Sequence, residues 1–298
     1  MTVPLPQKFQ ARVLRDEPMS KHTSWHVGGT ADIYFTPQDR DDLSAFLREL
    51  PRDVPVYWVG LGSNLLVRDG GLRGVVIATL GVFKRLERRA ELRVYCETGV
   101  PCTTLARQSV RWGMGKGEFF AGIPGTLGGA LAMNAGAYQG ETWRQVLSVD
   151  VINRHGVQQT RAASEFHPGY RHVQQPANDE WFLAAELQFA PSDAAQAQQV
   201  RELNERRRRT QPLGEWSCGS VFTNPPGDHA ARLVESAGLK GFRIGGAVVS
   251  GKHANFILNE GSATARDLES LILHVKTTVE KVHGIALVPE VRIIGEAA

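Results

Sequence analysis

Two glycine clusters are the parts of this chain whose residue types and spacing could do chemistry, and that chemistry is the holding of phosphate. Gly122, Gly125, Gly128 and Gly129 fall within the run Gly122-Ile123-Pro124-Gly125-Thr126-Leu127-Gly128-Gly129-Ala130, which leads to Asn134. Pro124 fixes one φ angle, and Thr126 stands where it would cap a short helix starting at Leu127. Successive amides and a helix N-terminus that converge on one spot suit a diphosphate. The small Ala130, Ala132 and Ala135 let a flat ring approach the backbone. A glycine-rich packing corner is the competing reading. The other cluster is Gly60-Leu61-Gly62-Ser63-Asn64, followed by Leu65. Rossmann and P-loop sites both require a helix after their glycines, and none is patterned here. A strand–loop–strand turn remains, able to form an anion nest, with Ser63 and Asn64 as extra donors. An ordinary tight turn would read the same way.

Elements able to position these loops surround them. A strand over residues 31–36 precedes Pro37, which opens a helix carrying Leu43, Phe46, Leu47 and Leu50. Val56–Val59, Leu65–Val67 and residues 74–77 read as further strands of a small α/β unit. Residues 93–97 begin a second unit. There Pro101 precedes a helix with Leu105 and Val110 that stops at Gly113. Strands over 146–153 and 181–189, with a turn at His155-Gly156, predict an antiparallel or mixed sheet. Residues 194–209 predict a surface helix. Its Arg206 to Arg209 run reads as a solvated face rather than a phosphate clamp. After a boundary at Gln211-Pro212, a third unit contains a helix over 267–283. Leu268, Leu271, Ile272, Val275, Val279 and Val282 share one face of it. Thr264 and Asp267 form an approximate capping box there, and Gly284 ends the helix.

Composition narrows the class. A chain of 298 residues is long enough for two or three domains. A net charge of +3 from 34 basic and 31 acidic residues implies no strong attraction to nucleic acid or membranes. Residues 119–140 carry no charge and are long enough to span a bilayer. They also hold six glycines and Pro124, and read instead as tightly turned backbone beside a ligand. Cys96, Cys102 and Cys218 cannot all pair and show no zinc spacing, so no metal is expected. With no apolar signal-peptide core in the first ten residues, a reducing cytoplasm is the expected compartment.

Many ordered motifs together resemble one family. They are Val27-Gly28-Gly29-Thr30-Ala31, the 60–67 and 122–130 runs, and Met133-Asn134-Ala135-Gly136-Ala137-Tyr138. Tyr170-Arg171, Gln211-Pro212, Cys218-Gly219-Ser220-Val221-Phe222 with Asn224-Pro225, and Gly238-Leu239-Lys240-Gly241 follow. The last are Ser250-Gly251-Lys252-His253-Ala254-Asn255-Phe256 and Pro289-Glu290-Val291-Arg292. From about Thr23 to Gly295 the chain resembles the UDP-N-acetylenolpyruvylglucosamine reductases, in the short form that lacks a tyrosine-bearing loop.

That resemblance implies a mixed α/β (α+β) fold: a vanillyl-alcohol-oxidase/PCMH-type, two-part FAD-binding region plus a C-terminal α/β substrate-binding domain. The implied units are 1–80, with 286–298 returning to it, then 81–210, then 211–285. It implies bound FAD, NADPH as co-substrate, a UDP-sugar substrate, no nucleic acid or membrane partner, and a monomer. The FAD contacts implied are Gly60, Gly62, Ser63, Asn64, Leu65, Gly122, Ile123, Pro124, Gly125, Thr126, Gly128, Gly129, Ala130 and Asn134. Hydride passing to the enolpyruvyl C3 leaves negative charge, which the resemblance assigns to Arg171. The proton for C2 falls to Ser220, and Glu290 stabilises the enolic intermediate in a protonated form that burial favours. Tyr170, Asn224, Lys252, His253 and Asn255 are the implied substrate contacts.

Local readings compete at each position. Arg171 could serve a surface ion pair, Glu290 could pair with Arg292, Ser220 could cap a turn, and Cys218 could be a nucleophile. Thr223 stands where the family usually has lysine, and Val173 replaces a common serine. Two other functions compete: another FAD-dependent sugar or lactone oxidoreductase of this fold, which would share the glycine clusters, and a non-catalytic UDP-sugar-binding module, which would be colourless.

Overall fold

A computed structural model describes residues 5–192 and 194–298; residues 1–4 and 193, included in the expected units, lie outside that range. The first sheet contains β1 (Val13–Pro18), β2 (Thr30–Phe35), β3 (Val56–Val59) and β5 (Leu72–Ala78), in the order β1-β2-β5-β3. β1 runs antiparallel to β2, whereas β2, β5 and β3 are parallel. β2 and β5 are nearly all buried because both faces are covered. Helix α1 (Arg40–Glu49) connects β2 to β3. Its N-cap is Asp39, whose side chain accepts from the Asp42 amide, so the helix begins later than Pro37 suggested. Leu43, Phe46 and Leu47 pack on Phe35, Val75 and Ile77, each burial contributing about 1.5–3 kcal/mol.

The strand β4 (Leu65–Val67) belongs to a different pairing. The C-terminal strand Arg292–Ile294 returns to lie parallel to it, with Arg292 opposite Leu65. This brings residue 290 to the end of the 60–64 loop.

The second sheet has five strands: Gln158–Ala162, Val146–Asn153, Glu180–Gln188, β7 (Arg93–Glu97) and β6 (Leu86–Ala90), in that spatial order. It is antiparallel throughout, which resolves the antiparallel-or-mixed alternative. Helices α2 (Cys102–Arg111) and α3 (Leu127–Met133) cover it through Leu105, Leu127 and Leu131. The uncharged 119–140 stretch is a short 3-10 turn followed by α3, and no helix among the described residues is long and apolar enough to cross a membrane.

Helix α4 (Ala194–Thr210) leads into the third unit. There α5 (Ala230–Ser236) and α6 (Ala265–His283) pack on the strands Arg243–Ile244, Ala247–Val249 and Ile257–Asn259. Both halves of the capping box form: Thr264 Oγ1 accepts from the Asp267 amide, and Asp267 accepts from the Thr264 amide. Gly284 closes α6 at φ 68°. Val282 departs from the expected apolar face and is 54% exposed. It lies in the last turn of the helix. The fully buried Trp25 ties this unit to the first, its Nε1 donating to the Ile257 carbonyl at 2.8 Å.

Candidate active site

The two glycine loops meet edge to edge. A Cβ on Gly60 would fall 2.5 Å from Thr126 Oγ1, and one on Gly125 would fall 3.2 Å from Ser63 Oγ. Gly62, at φ +60°, passes so close to the His22 carbonyl that a Cβ would sit 2.0 Å from it. Gly129 differs: a Cβ there would meet nothing within 4 Å, because it faces the open cleft. The cleft encloses about 540 Å³ between the loops and the third unit.

The 122–130 loop depends less on the start of α3 than the sequence suggests. Thr126 occupies the N-cap position, but its side chain makes no capping bond. The Leu127 and Gly128 amides are taken by the Val100 and Thr98 carbonyls, at 2.9 and 3.0 Å. The anchored helix start therefore supports the wall, and the open face is that of Gly129 with the 60–64 loop. All of Gly60, Gly62, Ser63, Asn64, Leu65 and the named residues of the 122–130 run line the cleft.

Asn134 does not. It is 3% exposed, its Nδ2 donates to the Gly169 carbonyl, and its Oδ1 accepts from the Trp143 amide. With both halves of the amide committed to backbone, its side chain braces the scaffold behind the cleft.

Arg171, Ser220 and Glu290 come together on the cleft wall. Arg171 sits at the turn of a hairpin formed by His167–Gly169 and His172–Gln174, with an unusual φ of 57° for a bulky residue. Its Nε lies 2.8 Å from Glu290 Oε1, and its Nη2 donates to the Gly136 carbonyl at 3.2 Å. Glu290 therefore pairs with Arg171 rather than with its near neighbour Arg292. Burial raises the Glu290 carboxyl pKa, and the Arg171 guanidinium opposes that rise without cancelling it.

Backbone pairing places Ser220 beside Glu290. Thr223 N donates to Val288 O, and Glu290 N donates to Val221 O at 2.7 Å. Gly219, at φ +79°, lies near Pro124 of the 122–130 loop: a Cβ there would fall 3.9 Å from the Pro124 ring. Cys218 lines the same wall, but burial and then Glu290 raise its thiol pKa, which keeps it protonated and argues against a nucleophile.

The expected substrate contacts divide. Tyr170 and Asn224 line the cleft, with the Tyr170 ring 5.2 Å from the Arg171 guanidinium. Asn255 also lines it, yet Nδ2 donates to Phe222 O and Oδ1 accepts from Phe222 N, so its amide organises the Ser220 loop. Lys252 and His253 are not on the wall. Lys252 Nζ donates to the Arg208 carbonyl at 2.7 Å. His253 packs edge-on against Phe256, and burial lowers its pKa. Thr223 Oγ1 donates to Val288 O, and Val173 is buried in the second core.

Arg207 was missed. It lines the cleft and donates to Gly122 O and, at 2.6 Å, to Gln211 Oε1. Among four consecutive arginines only the helix rotation picks it out.

Comparison with known proteins agrees with this geometry. An FAD-binding-domain family matches residues 31–161, and the C-terminal domain of UDP-N-acetylenolpyruvoylglucosamine reductase matches 211–294. The reductase of Alkalilimnicola ehrlichii is 57% identical over 94% of this chain and 94% of its own. That of Methylococcus capsulatus is 54% identical over 95% of this chain and 93% of its own. The crystal structure of the Thermus caldophilus reductase superposes with a TM-score of 0.82 at 30% identity, covering 95% of this chain and 98% of that one. The chain belongs to the UDP-N-acetylenolpyruvoylglucosamine reductase family and is an FAD-dependent oxidoreductase.

Proposed function

We propose that this protein uses NADPH and FAD to reduce UDP-N-acetylglucosamine enolpyruvate to UDP-N-acetylmuramate, a precursor of peptidoglycan. The observation that carries this reading is the Arg171–Glu290 pair beside Ser220, on the wall of the same cleft that the glycine loops line. The cleft fits FAD: Gly129 leaves open the space that a side chain would fill, and the two loops form a continuous bare-backbone edge. FAD bound there supplies hydride acceptance and donation.

The chain's residues supply the rest. Arg171 holds a fixed positive charge where the substrate carboxylate and the developing enolate need it. Glu290, in a burial that favours its neutral form, hydrogen-bonds the enolic oxygen. The Ser220 hydroxyl delivers the proton to C2. A serine is a weak acid, so delivery depends on a strongly basic enolate and on the neighbouring guanidinium. Tyr170, Asn224 and the cleft-lining Arg207 form the rim that receives the UDP moiety.

The test is a visible spectrum of the purified protein, then NADPH oxidation measured with and without the enolpyruvyl substrate. A flavin spectrum with substrate-dependent oxidation is expected. Flavin without it points to another sugar or lactone oxidoreductase, and a colourless protein ends the FAD reading as well.

A further inference from the structure

Two asparagines that close the glycine-bearing segments have side chains turned to other work. Asn64 ends the 60–64 loop. Its Nδ2 donates to the Glu290 carbonyl at 3.0 Å and to Met133 Sδ at 2.8 Å, while its own carbonyl accepts from Arg292 N at 3.1 Å. It thus brackets Val291 and fixes the peptide that follows Glu290. Asn134 follows Met133 at the end of α3 and adopts the left-handed conformation, φ 43°. Its Nδ2 donates to Gly169 O at 3.0 Å and its Oδ1 accepts from Trp143 N at 3.1 Å. Gly169 ends the strand that leads into Tyr170 and Arg171. Both members of the ion pair are therefore held from one place, the C-terminal end of α3, whose other end begins at the flavin cradle.

We propose that Asn64 and Asn134 are positioning residues that clamp the backbones carrying Glu290 and Arg171 to the end of α3, setting the ion pair against the flavin cradle before substrate enters. Asparagine suits both places. It tolerates left-handed backbone, and its amide donates and accepts at once. Aspartate has the same shape but turns an oxygen toward the carbonyl that the amide served. Displacement of a reacting group by about 1 Å costs about 100-fold in rate, so a loosened clamp is kinetically visible.

The clamp has a second signature. The groups facing Glu290 are Arg171 from the hairpin and the Cys218 thiol from the Ser220 loop, with Arg292 on the same cleft wall. If Arg171 drifts away, burial acts on Glu290 with less opposition, and any pH limb governed by that carboxyl moves to higher pH.

The inference rests on the reductase reading, and the experiment separates the two. Asn134→Asp and the backbone-tolerant Asn134→Gly, which lie outside the cleft lining, are prepared as FAD-loaded full-length proteins. Flavin per chain reports folding and cofactor retention, and stopped-flow absorbance follows flavin reduction by NADPH and then reoxidation by substrate. Expected are unchanged flavin content, NADPH reduction within about twofold, reoxidation slowed about 10–100-fold, and an alkaline shift of the reoxidation limb. Parallel slowing of both half-reactions, or an unmoved limb, overturns the clamp. Wild-type flavin that substrate never reoxidises overturns the reductase reading instead. The clamp is then decided by unfolding of Arg171→Met in the Asn134→Gly background. Less-than-additive losses support it, and full additivity overturns it.

Discussion

Replacing Arg171 by Met removes the guanidinium and keeps a stem of similar bulk, leaving Glu290 buried without its cation. Breaking a fully buried pair costs about 3–5 kcal/mol. Here the two side chains keep 22% and 16% of their exposure, so screening reduces that figure to about 1–3 kcal/mol at pH 8. Glu290 limits the loss further by taking up a proton. Its folded pKa already lies above the ordinary carboxyl value of 4.5, through burial first, and loss of Arg171 raises it again. For an acid whose folded pKa is raised, the stability it contributes is fully present below the unfolded pKa. It is lost as pH rises through the folded pKa. The stability gap between wild type and Arg171→Met is therefore expected to be small near pH 4.5 and to widen toward pH 8. Urea unfolding at several pH values measures it, with Glu290→Gln as the second arm of a cycle in which the pH dependence should vanish. The reaction suffers separately: flavin reduction by NADPH persists, and reoxidation by substrate falls about 100–1000-fold. A stability gap that stays constant from pH 4.5 to 8 would refute the pairing of Arg171 with a Glu290 carboxylate.

Other outcomes follow from the same geometry. Ser220→Ala should retain flavin reduction by NADPH and lose product formation by about 100–10,000-fold in single-turnover assays; joint failure of both half-reactions would give Ser220 another role. Gly129→Ala should leave thermal stability nearly unchanged, because the added Cβ meets no atom within 4 Å outside its own helix, yet weaken FAD in a fluorescence titration. Normal FAD affinity in that variant would move the cofactor off this wall. Asn255→Ala removes a donor and an acceptor used by Phe222, and should cost about 1–3 kcal/mol in urea unfolding with a disturbed Ser220 loop.

Much of the framework was legible because its causes are local. The α6 capping box joins residues three positions apart, and Gly284 ends that helix for a reason contained in one φ angle. The missing helix after Gly60–Asn64 is a local pattern too, and the structure has a strand there, β4. Family resemblance named Arg171, Ser220 and Glu290, but spacing along the chain offered only Arg292 as an ion partner for Glu290.

Tertiary structure decided which neighbour each polar group meets. Asn64 and Glu290 are 226 positions apart, and they touch because the C-terminal strand returns to β4. Asn134 looks like a cofactor ligand by motif, yet the hairpin folded over α3 claims its amide. Lys252 and His253 sit beside residues that reach the cleft, but their own side chains turn to Arg208 and Phe256. The glycine-rich loops, by contrast, were visible from the start: a bare backbone stays bare wherever the chain folds, whereas a side chain's partner is known only once distant segments have packed.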